Sequence, residues 1–251
     1  MRTSIALPIF CLGLLQVTAL KRDTLDSLTN LCIDSTSHKT TPSREASLYK
    51  QCSPWKERSC CTENTTRIAH ESTTDLYNID FGHCAPLSKK CKEHFVQDIC
   101  FYECSPNTGP WLIEKPNNKY VTEKANNAPL CESDCTNWYN DCKYDLTCVE
   151  NWGEDFNWTT GVSTCPTNSQ CKTFEDIYGS AAKFCSKVWN YSWKMVPDSE
   201  PCIHMWFDSS KGNPNDAVAL QHAKKILNAG SIFGTSPMVA MAVSILYLFS
   251  S

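Results

Sequence analysis

The cysteines constrain this chain more than any other feature. It has 17 of them. Cys11 lies in an apolar leader. The other sixteen are Cys32, Cys52, Cys60, Cys61, Cys84, Cys91, Cys100, Cys104, Cys131, Cys135, Cys142, Cys148, Cys165, Cys171, Cys185 and Cys202. An even set in a chain routed to an oxidising compartment implies eight disulfides, with a connectivity that spacing alone does not reveal. Zinc is the competing use of such residues. The chain has no Cys-x-x-Cys and no His pair at ligand spacing, so neither a metal nor a cofactor is expected. The adjacent Cys60 and Cys61 read as one staple pulling in two directions.

The two ends support the oxidising route. Residues 1–19 carry one early cation, Arg2, then an apolar run, then Val17 and Ala19 at small-residue cleavage positions. That is the pattern of a secretory signal peptide, and the run is too short to span a bilayer. At the other end stand Asn228, Ala229, Gly230 and Ser231, then a spacer through Pro237 and an apolar tail from Met238. No basic residue follows the tail. This order matches a glycosylphosphatidylinositol (GPI) attachment signal, with Asn228 as attachment residue and 229–251 removed. A short membrane span is the alternative. The mature domain then covers 20–228 and sits on the outer leaflet. Sequons at Asn64, Asn157 and Asn190 fit the same route. A net charge of −4 argues against nucleic acid, which requires a basic footprint.

Short helices between long irregular segments are expected along the domain. Thr41 and Pro42 read as the start of one helix. In "PLSKKCKEHFVQDICFYEC", Cys91, Phe95, Asp98 and Tyr102 recur at helical steps and share a face. In "CESDCTNWYNDCKYDLTC", Cys131, Cys135, Trp138, Cys142 and Leu146 do the same, and a third face joins Ala181, Phe184, Cys185, Val188 and Trp189. Asn213 and Pro214 open a last helix. The polar stretch from 112 to 130 reads as a long loop or weak hairpin, 153–161 as a loop, and "MWFD" (205–208) as a buried strand-like plug.

Catalytic patterns are missing. There is no Gly-x-Ser-x-Gly and no His-Glu-x-x-His, and paired cysteines leave no free thiol. Asp98 has no second acid on its face, only His94 four residues back, at the spacing of a local ion pair. No enzyme is expected. Asp98 serves a binding reading better. A buried carboxylate is costly unless it is hydrogen-bonded. A ligand with paired N–H donors would satisfy both oxygens, each charge-assisted bond contributing about 1.5–3 kcal/mol. The alternative is that Asp98 bridges groups inside the domain.

The stretches "RSCC" (58–61), "CKEHFVQDICFYECSPNTGPW", "PLCESDCTNWYNDC", "NWGEDFNWTTG" and "CIHMWFDSSKGNPN" resemble the folate receptor family, which includes riboflavin-binding protein and the egg receptor Juno. The resemblance spans about Cys32 to Ala219. It implies an α+β fold: one disulfide-rich globular domain with short helices, short strands, long loops and an open ligand pocket. It further implies that a pterin lies between two aromatic rings, with an aspartate on its N–H edge. Asp98 matches that aspartate, Tyr102 and Trp189 the stacking pair, and Tyr77 a further wall residue. Ser192 and Trp158 match the serine and second tryptophan of the site. The mouth departs from the family. Its Trp-Arg-x-x-Arg segment is Tyr120 to Lys124 here, with Val121 for one arginine and Lys124 for the other. Gly153 replaces a histidine, Phe156 a tryptophan and Ile79 a phenylalanine. The resemblance therefore implies a cell-surface receptor that binds folate or a related pterin and carries it into the cell. The other branch it leaves open is a Juno-like egg receptor for a sperm membrane protein, with a vestigial pocket. The retained acid favours the first; the altered mouth favours the second.

Overall fold

The computed structural model describes residues 22–72, 74, 76–115 and 122–234, with side chains described to 229. The leader, Tyr120, Val121 and the apolar tail lie outside the described residues. Seven helices and three two-stranded sheets are present among them.

Helix α3 (Lys89–Cys104) is the spine. Ser88 caps its start by accepting the Cys91 N–H, which satisfies one of the orphan donors of the first turn. The expected face is buried: Cys91, Phe95 and Asp98 are nearly inaccessible and Tyr102 is half-buried. Three disulfides fix this helix, Cys91–Cys142, Cys52–Cys100 and Cys61–Cys104. The remaining five are Cys32–Cys60, Cys84–Cys171, Cys131–Cys202, Cys135–Cys185 and Cys148–Cys165. All sixteen cysteines are thus paired, and the vicinal pair does pull two ways. In the chain-entropy account each bridge stabilises by roughly 3–5 kcal/mol, without simple additivity.

Helices α1 (Leu25–Thr29) and α2 (Glu63–Glu71) precede this spine. After it, β1 (Leu112–Glu114) pairs antiparallel with β2 (Glu123–Ala125), Ile113 opposite Lys124, so these two described segments of the polar stretch are strands rather than loop. β3 (Ala128–Cys131) leads into α4 (Glu132–Cys142), which buries Cys135, Trp138 and Cys142 of the expected face and Tyr139 beside them, while Leu146, expected on that face, lies beyond the helix on a strand. β4 (Leu146–Thr147) pairs with β5 (Lys172–Thr173). The short helices α5 (Phe174–Tyr178) and α6 (Ala181–Lys187) follow. β6 (Trp193–Val196) then runs parallel to β3, Ala128 opposite Trp193. α7 (Asn215–Gly234) closes the described chain. The Asn213 side chain accepts the Asn215 N–H at its start, and Asn228 lies within it. No helix among the described residues is long and apolar enough to cross a membrane.

Two local expectations fail. No helix starts at Thr41 and Pro42. Ser43 instead forms an antiparallel bridge with Ser59, with N–H···O distances of 3.0 and 2.9 Å. The cross-links at Cys60 and Cys61 anchor that partner segment, and the pairing overrides the local signal. Nor is 205–208 a buried strand. Met205 is buried, but Trp206 is 43 % exposed, and Asp208 caps a 3₁₀ turn at Ser209–Lys211.

Candidate functional site

Asp98 sits two-thirds of the way along α3 and is only 6 % exposed. Trp193, the first residue of β6, donates its Nε1–H to Asp98 Oδ1 at 2.9 Å. Among the described residues this is the one hydrogen bond to that carboxyl. The parallel β3–β6 pairing delivers it, since it holds Trp193 beside Ala128 at the strand start. The Trp189 indole also lies beside the carboxyl and favours its charged form. Its buried Nε1–H nevertheless meets no acceptor at hydrogen-bonding geometry. Trp55 and Trp138 carry the same kind of orphan, so the orphan alone marks nothing. Its place next to a half-satisfied acid is what distinguishes Trp189.

Removal from water disfavours the carboxylate more than the indoles favour it. Burial pushes Asp98 up to about 7. The expected Asp98–His94 ion pair does not form. His94 turns outward, and its Nε2 meets Asp141 Oδ2 at 3.0 Å. Asp98 faces inward, while His94 on the outer side of the helix reaches α4.

Aromatic rings flank the acid along α3. Phe95, one turn before it, stacks on Trp152 with centroids 4.5 Å apart and planes 8° apart. Trp189 packs edge-on to both, at 6.2 and 6.0 Å. Tyr102, one turn after Asp98, meets Tyr77 edge-on at 6.0 Å and His38 at 5.5 Å. Behind these tyrosines lies a second buried acid. Tyr77 donates its hydroxyl to Glu103 Oε1 at 2.6 Å. His38 Nε2 contacts the Tyr102 carbonyl at 3.0 Å and lies 3.6 Å from Glu103 Oε2. Burial raises Glu103, and burial together with the Glu103 charge raises both tyrosines.

The other expected site residues divide. Asp98, Tyr102, Trp189 and Tyr77 come together, although the Tyr77 hydroxyl is committed to Glu103. The Ser192 hydroxyl donates to the Trp189 carbonyl at 2.8 Å, so it fixes the turn after Trp189. That turn holds Asn190 and Tyr191 at φ +49° and +62°, a left-handed conformation that costs a non-glycine residue about 1 kcal/mol or more. Phe156 is buried on the Trp152 side, against His83 and Trp152. Trp158 is on the rim and 38 % exposed. Lys124 donates to the Asn190 carbonyl at 3.1 Å. Lys115 pairs with Glu154 at 3.3 Å, and Asn190 Nδ2 donates to the same Glu154 at 3.4 Å. Lys124 and Lys115 are therefore tied to protein groups. Trp193, Trp152, Glu103 and His38 join the site without any sequence signal that singles them out. Two hollows, of about 210 and 330 Å³, do not include Asp98: one lies beside α7, and the other, beside α2, has His38 in its wall.

Fold and site together define a disulfide-stapled domain with a buried acid set between two indoles. Comparison with known proteins agrees. Residues 31–204 match the family model of the folate receptors. Human folate receptor gamma is 45 % identical over 207 residues, covering 81 % of this chain and 84 % of the relative. Human folate receptor alpha is 37 % identical over 226 residues, covering 89 % and 88 %. Chicken (Gallus gallus) riboflavin-binding protein is 32 % identical over 193 residues, covering 76 % and 75 %. The chain belongs to the folate receptor family.

Proposed function

We propose that this chain is a cell-surface receptor that binds folate or a related pterin through Asp98 and is not an enzyme. One observation carries the reading: a carboxyl removed from water, hydrogen-bonded by the Trp193 indole and approached by the Trp189 indole outside ideal hydrogen-bond geometry. A fused heterocycle with N–H donors on one edge would supply what Asp98 lacks. Tyr102 and the Trp189 ring would supply flat apolar contact, about 0.5–1.5 kcal/mol per aromatic pair beyond area burial. The names of the relatives, two folate receptors and a riboflavin-binding protein, support a heteroaromatic ligand of this kind. Attachment to the outer leaflet through GPI at Asn228, with uptake of the bound ligand, completes the proposal. Such attachment would end the chain inside α7.

A second reading has its own support. Lys124, Lys115 and Asn190 are tied to protein groups, and neither hollow contains Asp98. A Juno-like egg receptor for a sperm membrane protein would need no open pocket. Equilibrium dialysis of residues 22–228 with labelled folic acid separates the two. Nanomolar binding that disappears in Asp98→Asn supports the first. Absence of binding below about 10 μM sinks it and leaves the second.

A further inference from the structure

We propose that the first N-acetylglucosamine attached to Asn64 is seated on the protein, filling the hollow of about 330 Å³ beside α2. Thr36, Ser37, Lys39, Thr62, Ile68 and Leu76 are among its lining residues, and Asn64 itself stands on its edge. The volume lies at the lower end of small-ligand sites. Ile68 is four residues after Asn64, hence on the same face of α2. It is 37 % exposed, an aliphatic side chain left in water at the hollow's border. The apolar face of a hexosamine ring would cover Ile68 and Leu76, and its hydroxyls and acetamide would face the threonines and Ser37.

Asn64 differs from Asn190, whose Nδ2 donates to Glu154 at 3.4 Å, and from Asn157, whose Oδ1 accepts the Thr159 N–H at 3.0 Å, in having the hollow beside it. Asn64 is exposed, and its amide makes no hydrogen bond among the described residues. A covalent tether also fixes the occupant, since a sugar on this nitrogen begins at the hollow's rim. Attachment joins Asn64 Nδ2 to C1 of the sugar. The donor is a lipid-pyrophosphate-linked oligosaccharide; its pyrophosphate leaves with the bonding electron pair, and Nδ2 gives up one proton. The sequon hydroxyl of Thr66 is buried, donates to the Glu63 carbonyl at 2.8 Å and accepts the Tyr49 N–H at 2.9 Å. Transfer must therefore come before α2 docks, and the chain folds around a sugar already in place.

The test uses an Asn157→Gln/Asn190→Gln chain secreted with high-mannose glycans. Its melting is compared intact, trimmed by endoglycosidase to one N-acetylglucosamine, and stripped by amidase. One sugar should hold the intact Tm, and stripping should lower it by about 2–4 °C. Stripping leaves a carboxylate in the first turn of α2, which the helix dipole favours, so that side effect opposes the expected loss. Ile68→Gln should lower Tm by a similar amount in the one-sugar form and not in the stripped form. Equal Tm in all three forms, an Ile68→Gln effect independent of the sugar, or an unmodified Asn64 by mass spectrometry would each overturn the proposal.

Discussion

Replacing Asp98 with Asn should stabilise the fold, and the gain should grow with pH. The carboxyl sits at about 7 in the fold, against 3.8 for an aspartate in water. A group whose folded value is raised in this way binds its proton more tightly in the native chain. Stability is therefore lost as pH rises through the window between the two values. The cost to the fold is then roughly 2 kcal/mol at pH 5 and roughly 4 kcal/mol at pH 8. Asparagine has no charge to desolvate and keeps an oxygen for Trp193 Nε1–H. Guanidinium melts of both proteins, with disulfides intact, followed by tryptophan fluorescence at pH 5 and 8, give the difference directly. Other titrating groups, Glu103 included, cancel between the two proteins. The variant should gain about 2–3 kcal/mol more at pH 8 than at pH 5. A variant no more stable than the parent at pH 8, or a gain independent of pH, would refute the claim that burial governs this acid. The stability gain should come with loss of ligand binding.

Further outcomes follow from the same geometry. If the ligand pairs only with ionised Asp98, folic acid affinity should fall about 20-fold between pH 7.4 and 5.5, measured by dialysis; a flat profile removes the acid from recognition. Trp193→Phe removes the Asp98 hydrogen bond and should cost about 1–3 kcal/mol of binding energy while shifting the affinity midpoint to higher pH. Phe95→Ala opens a cavity against Trp152 and should cost about 3–5 kcal/mol of stability in the same melts. Glu154→Ala frees Lys115 and Asn190 at an exposed site and should change stability by less than about 1 kcal/mol; a larger loss would mean the rim is a structural clasp.

The α3 face is readable in the sequence because helical period and burial are local facts: Cys91, Phe95, Asp98 and Tyr102 need no knowledge of the partner. The number of disulfides follows from compartment and parity, whereas their pairing depends on the fold. Trp193 is hidden for the same reason. It reaches Asp98 across 95 residues through a parallel strand pairing of four residues, which leaves little periodicity to detect. The Thr41–Pro42 signal is sound locally but is overridden by the Ser43–Ser59 bridge. His94 points to Asp98 only while its own helix is in view; Asp141 comes from another. The family likeness reveals the wall tyrosines, but Glu103 and His38 behind them look like any polar pair in the sequence.

The cross-links divide the chain in a way that bears on how the site works. Cutting once between Cys104 and Cys131 would leave three bridges within the first fragment and three within the second. Only Cys84–Cys171 and Cys91–Cys142 would still join the fragments. Asp98 and Tyr102 belong to the first fragment, Trp189 and Trp193 to the second. The acid and its indoles thus meet across a boundary that few covalent links cross, and it is held chiefly by packing such as Phe95 on Trp138 and Trp152.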